Sequence, residues 1–380
     1  MLIAKWYPYP EDQQFGVFIQ KHAKAIAMEN KVVVLFAHSI RDLPKSYQIA
    51  VTKNDNLLEV IISFRKDDSV FADLINGFRY FIAIKKGVRE SRAFFAKPDL
   101  IHAYILLRTA VVAYYYRIIN RIPYIINEQW SGYATGKFST ENFFKKALTK
   151  FLVKRSSGLI SVSHFLLDKM HICGIKHPVE KVIPNAVEVV NTEFYERTEK
   201  KVRVLLVADL VDEIKNISAV IKATAKIREP YPEFELRIIG QGKDKEKLVE
   251  LSRELGVLNS VVIFEGLKTN PEVYNYLKRC DFLVMNSRFE TFSLICGEAL
   301  SCGKPVLATR CGGPQEFIDA ESGVLIEVDN DAELAEKFQF MLENFNQFDS
   351  HKIISKVKHR FSRETVKNLY SDFFQEVFGS

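Results

Sequence analysis

The sequence predicts an α/β protein built of two doubly wound, Rossmann-like parallel-sheet units in tandem, and three observations carry that prediction. A chain of 380 residues and 43.7 kDa exceeds what a single compact core usually holds. Short runs rich in Val and Ile alternate with longer amphipathic stretches, the pattern of buried parallel strands joined by helices. Between Asn185 and Lys201 the chain turns polar and aperiodic, which splits the alternation into two series.

In the first series, residues 32–36, 57–62, 99–102, 123–127, 158–162 and 181–183 read as strands. Two basic amphipathic helices lie among them. One places Phe78, Phe81, Ile82, Lys85, Val88 and Phe95 close to one face with Arg79, Lys86, Arg89, Arg92 and Lys97 supplying charge, and the other, Phe143 to Arg155, carries Lys145, Lys146, Lys150 and Lys154. The second series gives strands at 203–208, 235–239, 261–265, 282–285, 305–308 and 323–326. From Ser362 onward, Val366, Leu369, Tyr370, Phe373, Phe374 and Val377 recur at helical spacing and predict a helix that docks its apolar face. The predicted organisation is therefore an N-terminal domain over 1–186, a second over 187–361 and a C-terminal helix over 362–380 that docks back on the first.

Composition narrows the class. With 47% hydrophobic and 26% charged residues the chain is globular. The most apolar stretch, residues 100–119, carries His102, Arg108 and Arg117, too many polar groups for a membrane span, and Met1 to Asp12 lacks the pattern of a secretory signal. Five cysteines without a CxxC pair point to reduced thiols and a cytoplasmic location, with neither zinc nor disulfides organising the fold. Residues 1–190 hold 27 Lys and Arg against 16 Asp and Glu, whereas residues 191–380 hold 26 against 31. A basic first half suits nucleic acid, anionic lipid or a phosphorylated substrate.

Ligands of such sheets sit at the carboxyl ends of strands, where loops lead into helix N-termini. The densest loop is Ser287 to Pro305, SRFETFSLICGEALSCGKP, in which Glu290 lies in the loop and Glu298 inside the helix that follows. Two carboxylates so spaced accept hydroxyls of one extended ligand, or else Glu298 is a helix-surface acid. The next loop, Thr309 to Pro314, brings paired glycines and Glu316 at the start of a helix. After the first strand of the second series, Lys215 is a point charge placed for a diphosphate. Gly240-Gln241-Gly242 has Lys245 where a dinucleotide fingerprint needs glycine, so nicotinamide chemistry is disfavoured. Asp329-Asn330-Asp331 mimics a metal-binding acidic pair, but Asp331 reads better as a helix cap. His102, in PDLIHAY, stays open between a catalytic and a buried structural histidine.

Taken together, FETFSLICGEALSCGKPVLATRCGGPQEFI resembles the signature of family-4 retaining glycosyltransferases of the GT-B fold, with Glu290 and Glu298 as its Glu-x7-Glu pair. IPNAVE (Ile183 to Glu188) resembles the family's interdomain IPNGVD, and WYPYPEDQQFGVFIQKHA and NEQWSGY are similar to segments of bacterial capsule and lipopolysaccharide transferases. The resemblance implies a nucleotide diphosphate-sugar donor, no metal and no cofactor, with a glycan or lipid-linked acceptor. It implies catalytic roles for Glu290 and Lys215, joined by His102 as a candidate, and donor contacts from Gly16, Gln129, Lys215, Arg288, Glu290, Phe292, Ser293, Leu294 and Glu298. Two positions depart from the family pattern, Asp209 where it has a basic residue and Gln129 where it has a histidine. The basic helices and the family's usual work predict peripheral association with an anionic inner-membrane surface and no nucleic-acid partner. The alternatives are a nucleotide-sugar epimerase of the same fold and a non-catalytic basic membrane-binding protein.

Overall fold

A computed structural model describes residues 1–94, 97–189, 201–231 and 233–379. Contacts divide the chain into one unit of Met1–Ala186 with Val366–Ser380 and another of Val187–Thr365. The linker expected over 185–201 falls mostly on residues 190–200, outside the described residues, as does Phe95.

The first unit runs β1 (Leu2–Ala4), α1 (Val17–Ile26), β2 (Val32–Ile40), β3 (Tyr47–Asn54), β4 (Leu57–Arg65), α2 (Ala72–Ser91) and β5 (Ile101–Tyr104). It continues through α3 (Arg108–Asn120), β6 (Tyr124–Glu128), α4 (Phe143–Arg155), β7 (Gly158–Ser161), α5 (His164–Ile172) and β8 (Glu180–Val182). The sheet order is β3-β4-β2-β1-β5-β6-β7-β8, and every pairing is parallel except β3 with β4. β1 and β3 escape sequence reading for opposite reasons. β1 has three residues, too few to show a pattern, and β3 is an edge strand with most of its side chains exposed. In α2 the core face is Tyr80, Ala83, Ile84 and Gly87, and Phe78 points to solvent, so the apolar face inferred from Phe78 and Lys85 is corrected by about one residue step around the helix.

The second unit runs β9 (Val202–Val207), α6 (Asp212–Lys215), α7 (Ile217–Ile227), β10 (Phe234–Ile239), α8 (Lys245–Glu254), β11 (Val262–Gly266) and α9 (Asn270–Arg279). Then come β12 (Phe282–Met285), α10 (Leu294–Ser301), β13 (Val306–Thr309), β14 (Gly323–Ile326), α11 (Asp331–Asn344) and α12 (Ser350–Phe361). Its six strands are all parallel, in the order β11-β10-β9-β12-β13-β14. That is the doubly wound order, whose direction of winding reverses between β9 and β12. The strands read as near-continuous apolar runs because helices cover both faces, and Val204, Leu236, Phe282 and Leu307 are buried. Two local expectations are corrected. Asn330, not Asp331, caps α11, accepting the Glu333 amide at 3.1 Å, and the residues before Glu316 form a single 3-10 turn over Gly313–Glu316 in place of a helix.

The final helix, α13 (Arg363–Gly379), belongs from Val366 onward to the first unit. Val366, Tyr370, Phe373 and Val377 enter that unit's core beside Tyr104 and Ile160. Polar groups fix its register: the Tyr370 hydroxyl meets His22 Nδ1, lies 2.8 Å from the Tyr104 hydroxyl and accepts Asn127 Nδ2 at 2.9 Å. Gly158 admits the helix, since a Cβ there would stand 2.6 Å from the Phe373 ring. Among the described residues no helix is long and apolar enough to cross a membrane.

Candidate active site

In the second unit the reversal of strand order leaves a crevice at the carboxyl ends of β9 and β12, and the residues that follow those two strands converge there. Lys215 ends the single turn α6 after β9, and Glu290 lies in the loop after β12. Lys215 Nζ donates to Glu290 Oε1 at 2.6 Å, and the Ser287 hydroxyl donates to the same oxygen at 2.9 Å. Burial opposes the charge on Lys215, but the Glu290 carboxylate, helped by Asp209, more than offsets it and holds the ammonium above the ordinary lysine value. Lys215 is therefore a permanent cation at neutral pH, and Asp209 faces it as a second carboxylate.

The backbone of Glu290 is pinned on both sides. Its amide donates to the Cys311 carbonyl at 3.0 Å and its carbonyl accepts the Gly313 amide at 2.9 Å, so the loop after β12 is laced to the loop after β13. A Cβ on Gly313 would stand 2.4 Å from the Thr291 carbonyl oxygen, which explains one of the paired glycines by close approach. Arg288, expected at the donor, is engaged in holding the Lys215 turn. Its Nη1 donates to the carbonyls of Asp212 and Glu213, each at 2.9 Å, and its Nε to Asp329 Oδ1 at 2.7 Å. Asn286 Nδ2 adds a bond to the Asn216 carbonyl at 3.2 Å. Gly240 and Gly242 have a comparable task, letting the loop after β10 lie against Ala208 and Leu210.

At the head of α10, Ser293 takes a left-handed conformation with φ 70° and no side chain caps the helix. The first-turn amides of a helix have no intrahelical partner, so the backbone at Ser293 and Leu294 presents donors and the positive end of the helix dipole to an anion. Phe292 contributes backbone only, because its ring packs against Phe317 and Phe361 at 5.2 Å each. Glu298, one turn into α10, is buried. Burial and then the carboxylates of Glu298 and Glu188 raise the Tyr274 phenol, which places Glu298 on that side of the helix. Burial also pushes the Cys311 thiol up to about 12, so it supplies no thiolate nucleophile at neutral pH.

In the first unit, Gly16 caps α1 at φ 68°, and a Cβ there would stand 2.5 Å from the Trp6 carbonyl carbon. Glycine is required by the fold itself. Gln129 follows β6, is buried and donates to Asn127 Oδ1 at 3.5 Å. His102 corrects an expectation. It lies in β5 beside the amino end of β1, is 2% exposed, stacks on Tyr104 at 4.3 Å, and neither ring nitrogen has a hydrogen-bond partner among the described residues. Burial holds it well below the usual histidine value, so it is a neutral core residue and not a catalytic one. Sequence reading missed Lys5 and Arg108, which follow the carboxyl ends of β1 and β5, and Glu128, the last residue of β6. Recognition of β1 as a strand would have found Lys5.

Residues 191–360 match the family described as glycosyl transferases group 1. The chain carries a glycosyltransferase group 1 domain. Its structure has the GT-B architecture. Its sequence is 28% identical over 244 residues to the N-acetylgalactosamine-N,N'-diacetylbacillosaminyl-diphospho-undecaprenol 4-alpha-N-acetylgalactosaminyltransferase of Campylobacter jejuni, a match covering 60% of this chain and 65% of that one. The sucrose-phosphate synthase of Thermosynechococcus elongatus superposes with a TM-score of 0.76 at 16% identity, over 100% of this chain and 98% of that one. Anabaena HepE in complex with UDP-glucose gives 0.70 at 18%, over 99% and 98%. At such identities the two structures speak for the fold alone, and Lys215, Glu290 and α10 all lie within the matched residues.

Proposed function

We propose that the chain is a retaining, metal-independent glycosyltransferase that moves a sugar from a nucleotide diphosphate-sugar to a hydroxyl of a glycan or lipid-linked acceptor in bacterial surface polysaccharide synthesis. The observation that carries the reading is the Lys215–Glu290 pair, 2.6 Å apart at the carboxyl ends of β9 and β12 and next to the uncapped start of α10. A cation and a set of helix amides suit a diphosphate, and a carboxylate beside them suits sugar hydroxyls. The Campylobacter relative is named for a diphospho-undecaprenol acceptor and the Anabaena structure holds UDP-glucose, which supports this donor and acceptor chemistry.

In this reading the bond from the anomeric carbon to the diphosphate oxygen breaks while the acceptor oxygen bonds to that carbon on the same face. The acceptor's proton passes to the departing phosphate oxygen. Lys215 and the amides at Ser293 and Leu294 offset the charge growing on the leaving diphosphate, Glu290 orients the sugar through its hydroxyls, and Glu298 takes ribose hydroxyls. Arg288 positions the Lys215 turn. Gly16 and Gln129 remain donor contacts of the first unit in the same proposal.

Thermal unfolding with UDP, GDP, ADP and CMP, each with and without EDTA, tests the reading. A ligand at a hundred times its Kd stabilises by about 2.7 kcal/mol, so one nucleoside diphosphate should raise the unfolding temperature in EDTA as it does without it. Absence of a shift with all of them, or a shift abolished by EDTA, overturns it. Product anomeric configuration, read by NMR after transfer, decides retention. Work at the inner face of the membrane is part of the proposal, supported by exposed Phe71, Leu74, Phe78, Phe143 and Phe144 on the basic first unit.

A further inference from the structure

The first unit has its own reversal of strand order, between β1 and β5, and a cavity of about 550 Å³ opens at the carboxyl ends of those strands. Three cations line it: Lys5 after β1, Arg108 at the first turn of α3 and Lys145 in the first turn of α4. Burial, and then the proximity of Arg108, Lys145 and Lys137, lowers the Lys5 ammonium against the pull of Glu128. Like charges held together in this way are a liability to the fold by themselves and an asset to an anion. Glu128 also lines the cavity and its pull on Lys5 exceeds that of any one of the like charges, but its carboxylate is held by the amides of Leu106, Gln129 and Trp130 at 3.1, 2.9 and 2.9 Å, so it offsets one of the three cations and leaves the cluster cationic. Lys145 is shared with Glu141 at 2.8 Å, on the exposed rim.

The rest of the wall is apolar, formed by Phe81, Leu106, Val111, Val112, Trp130 and Phe138. Three hydroxyls break it, and that of Tyr133 donates to Glu128 at 3.4 Å. The Tyr80 hydroxyl and Thr149 Oγ1 belong to residues 3% and 0% exposed, line the cavity, and have no hydrogen-bond partner among the described residues. A buried hydroxyl without a partner costs about 1–3 kcal/mol, which a ligand oxygen recovers. The helices that supply the walls carry apolar side chains outward at the neighbouring positions. Leu74 and Phe78 of α2 are 76% and 66% exposed and Phe143 and Phe144 of α4 are 77% and 82% exposed.

We propose that this cavity binds the phosphate-bearing end of a membrane amphiphile, a prenyl-type lipid phosphate or diphosphate that carries the acceptor sugar. Lys5, Arg108 and Lys145 hold the anion, Tyr80 and Thr149 donate to it, and the hydrocarbon leaves along the apolar wall toward the exposed faces of α2 and α4. The assignment rests on the glycosyltransferase reading above and names the acceptor class for it.

The test titrates the full chain with farnesyl diphosphate, farnesol and inorganic pyrophosphate, with UDP present throughout to occupy the donor site. Calorimetry gives affinity, and the fluorescence of Trp130 in the cavity wall reports location. Farnesyl diphosphate should bind at least tenfold more tightly than either half molecule. Arg108→Gln with Lys145→Gln, both at exposed positions, should weaken it at least tenfold and leave farnesol unaffected. Thr149→Val, isosteric, should weaken it severalfold. Pyrophosphate binding as tightly as farnesyl diphosphate would mean a free-anion site, farnesol binding as tightly an apolar groove, and indifference to the double substitution another location; each overturns the proposal. The nucleoside diphosphate shift is read separately, so loss of the donor reading and loss of this one are told apart.

Discussion

Replacing His102 by Phe separates a core histidine from a catalytic one. Phe keeps the stacking on Tyr104 and removes two ring nitrogens that have no partner among the described residues. Each buried, unsatisfied polar atom costs about 1–3 kcal/mol, so the variant should be more stable than the parent by at least about 1 kcal/mol at pH 7.5, or about 2–4 °C for a unit of this size. The gain should grow in acid. The folded pKa of His102 is pushed well below 6.5, so the unfolded chain takes up a proton that the folded chain refuses, and stability falls as pH drops below about 6.5. At pH 5.0 that amounts to about 2 kcal/mol from this group, at about 1.4 kcal/mol for each pH unit. His22, pushed down to about 3 by burial, retains its own slope in both proteins, so the difference between them isolates His102. Chemical unfolding followed by circular dichroism at pH 7.5, 6.0 and 5.0, with sugar transfer measured at pH 7.5, is the assay. A variant that folds but transfers at least a hundredfold more slowly, or whose stability runs parallel to the parent's between pH 7.5 and 5.0, refutes the reasoning.

Other outcomes follow from the same geometry. Lys215→Ala should lower kcat by about a hundred- to a thousandfold and abolish the nucleoside diphosphate shift in unfolding temperature, as expected for loss of a group that offsets leaving-group charge. Arg288→Ala should weaken nucleoside diphosphate binding about tenfold by freeing the Lys215 turn, and Arg288→Lys should restore little because one ammonium does not span the two carbonyls and Asp329. Gly313→Ala, checked by unfolding and by transfer together, should cost about 2 kcal/mol or more and most of the activity, since its Cβ would press on Thr291 beside Glu290. Tyr370→Phe should destabilise the first unit by about 2–4 kcal/mol, because His22, Tyr104 and Asn127 lose a shared partner, without altering nucleoside diphosphate binding.

Much of the second unit is legible in the sequence because its strands are buried on both faces and its loops are punctuated by glycine and proline. Lys215 and Glu290 were placed by position after a strand, and the ion pair between them adds what spacing does not show. Arg288 illustrates the limit: a guanidinium expected as a second phosphate ligand beside Lys215 is here spent on the backbone carbonyls two and three residues before that lysine. In the first unit the cation cluster is assembled from the residue after β1 and the first turns of α3 and α4, far apart in sequence. Lys5 hides behind a strand of three residues, and Arg108 sits where β5 ends in Ile105 and Leu107, both at positive φ that their side chains do not favour. His102 was the opposite case, a reactive residue type whose environment withdraws its chemistry.

The placement of α13 has a consequence for biogenesis. Topologically the second unit is a passenger inserted between Ala186 and Val366 of the first. During vectorial synthesis the first unit's β-sheet emerges early yet lacks Val366, Tyr370, Phe373 and Val377, and their berth beside Tyr104 and Gly158 stays open to whatever apolar surface is nearby. The passenger's own sheet is contiguous in sequence and has no such wait. Completion of the first unit's core therefore waits on the last helix to be synthesised.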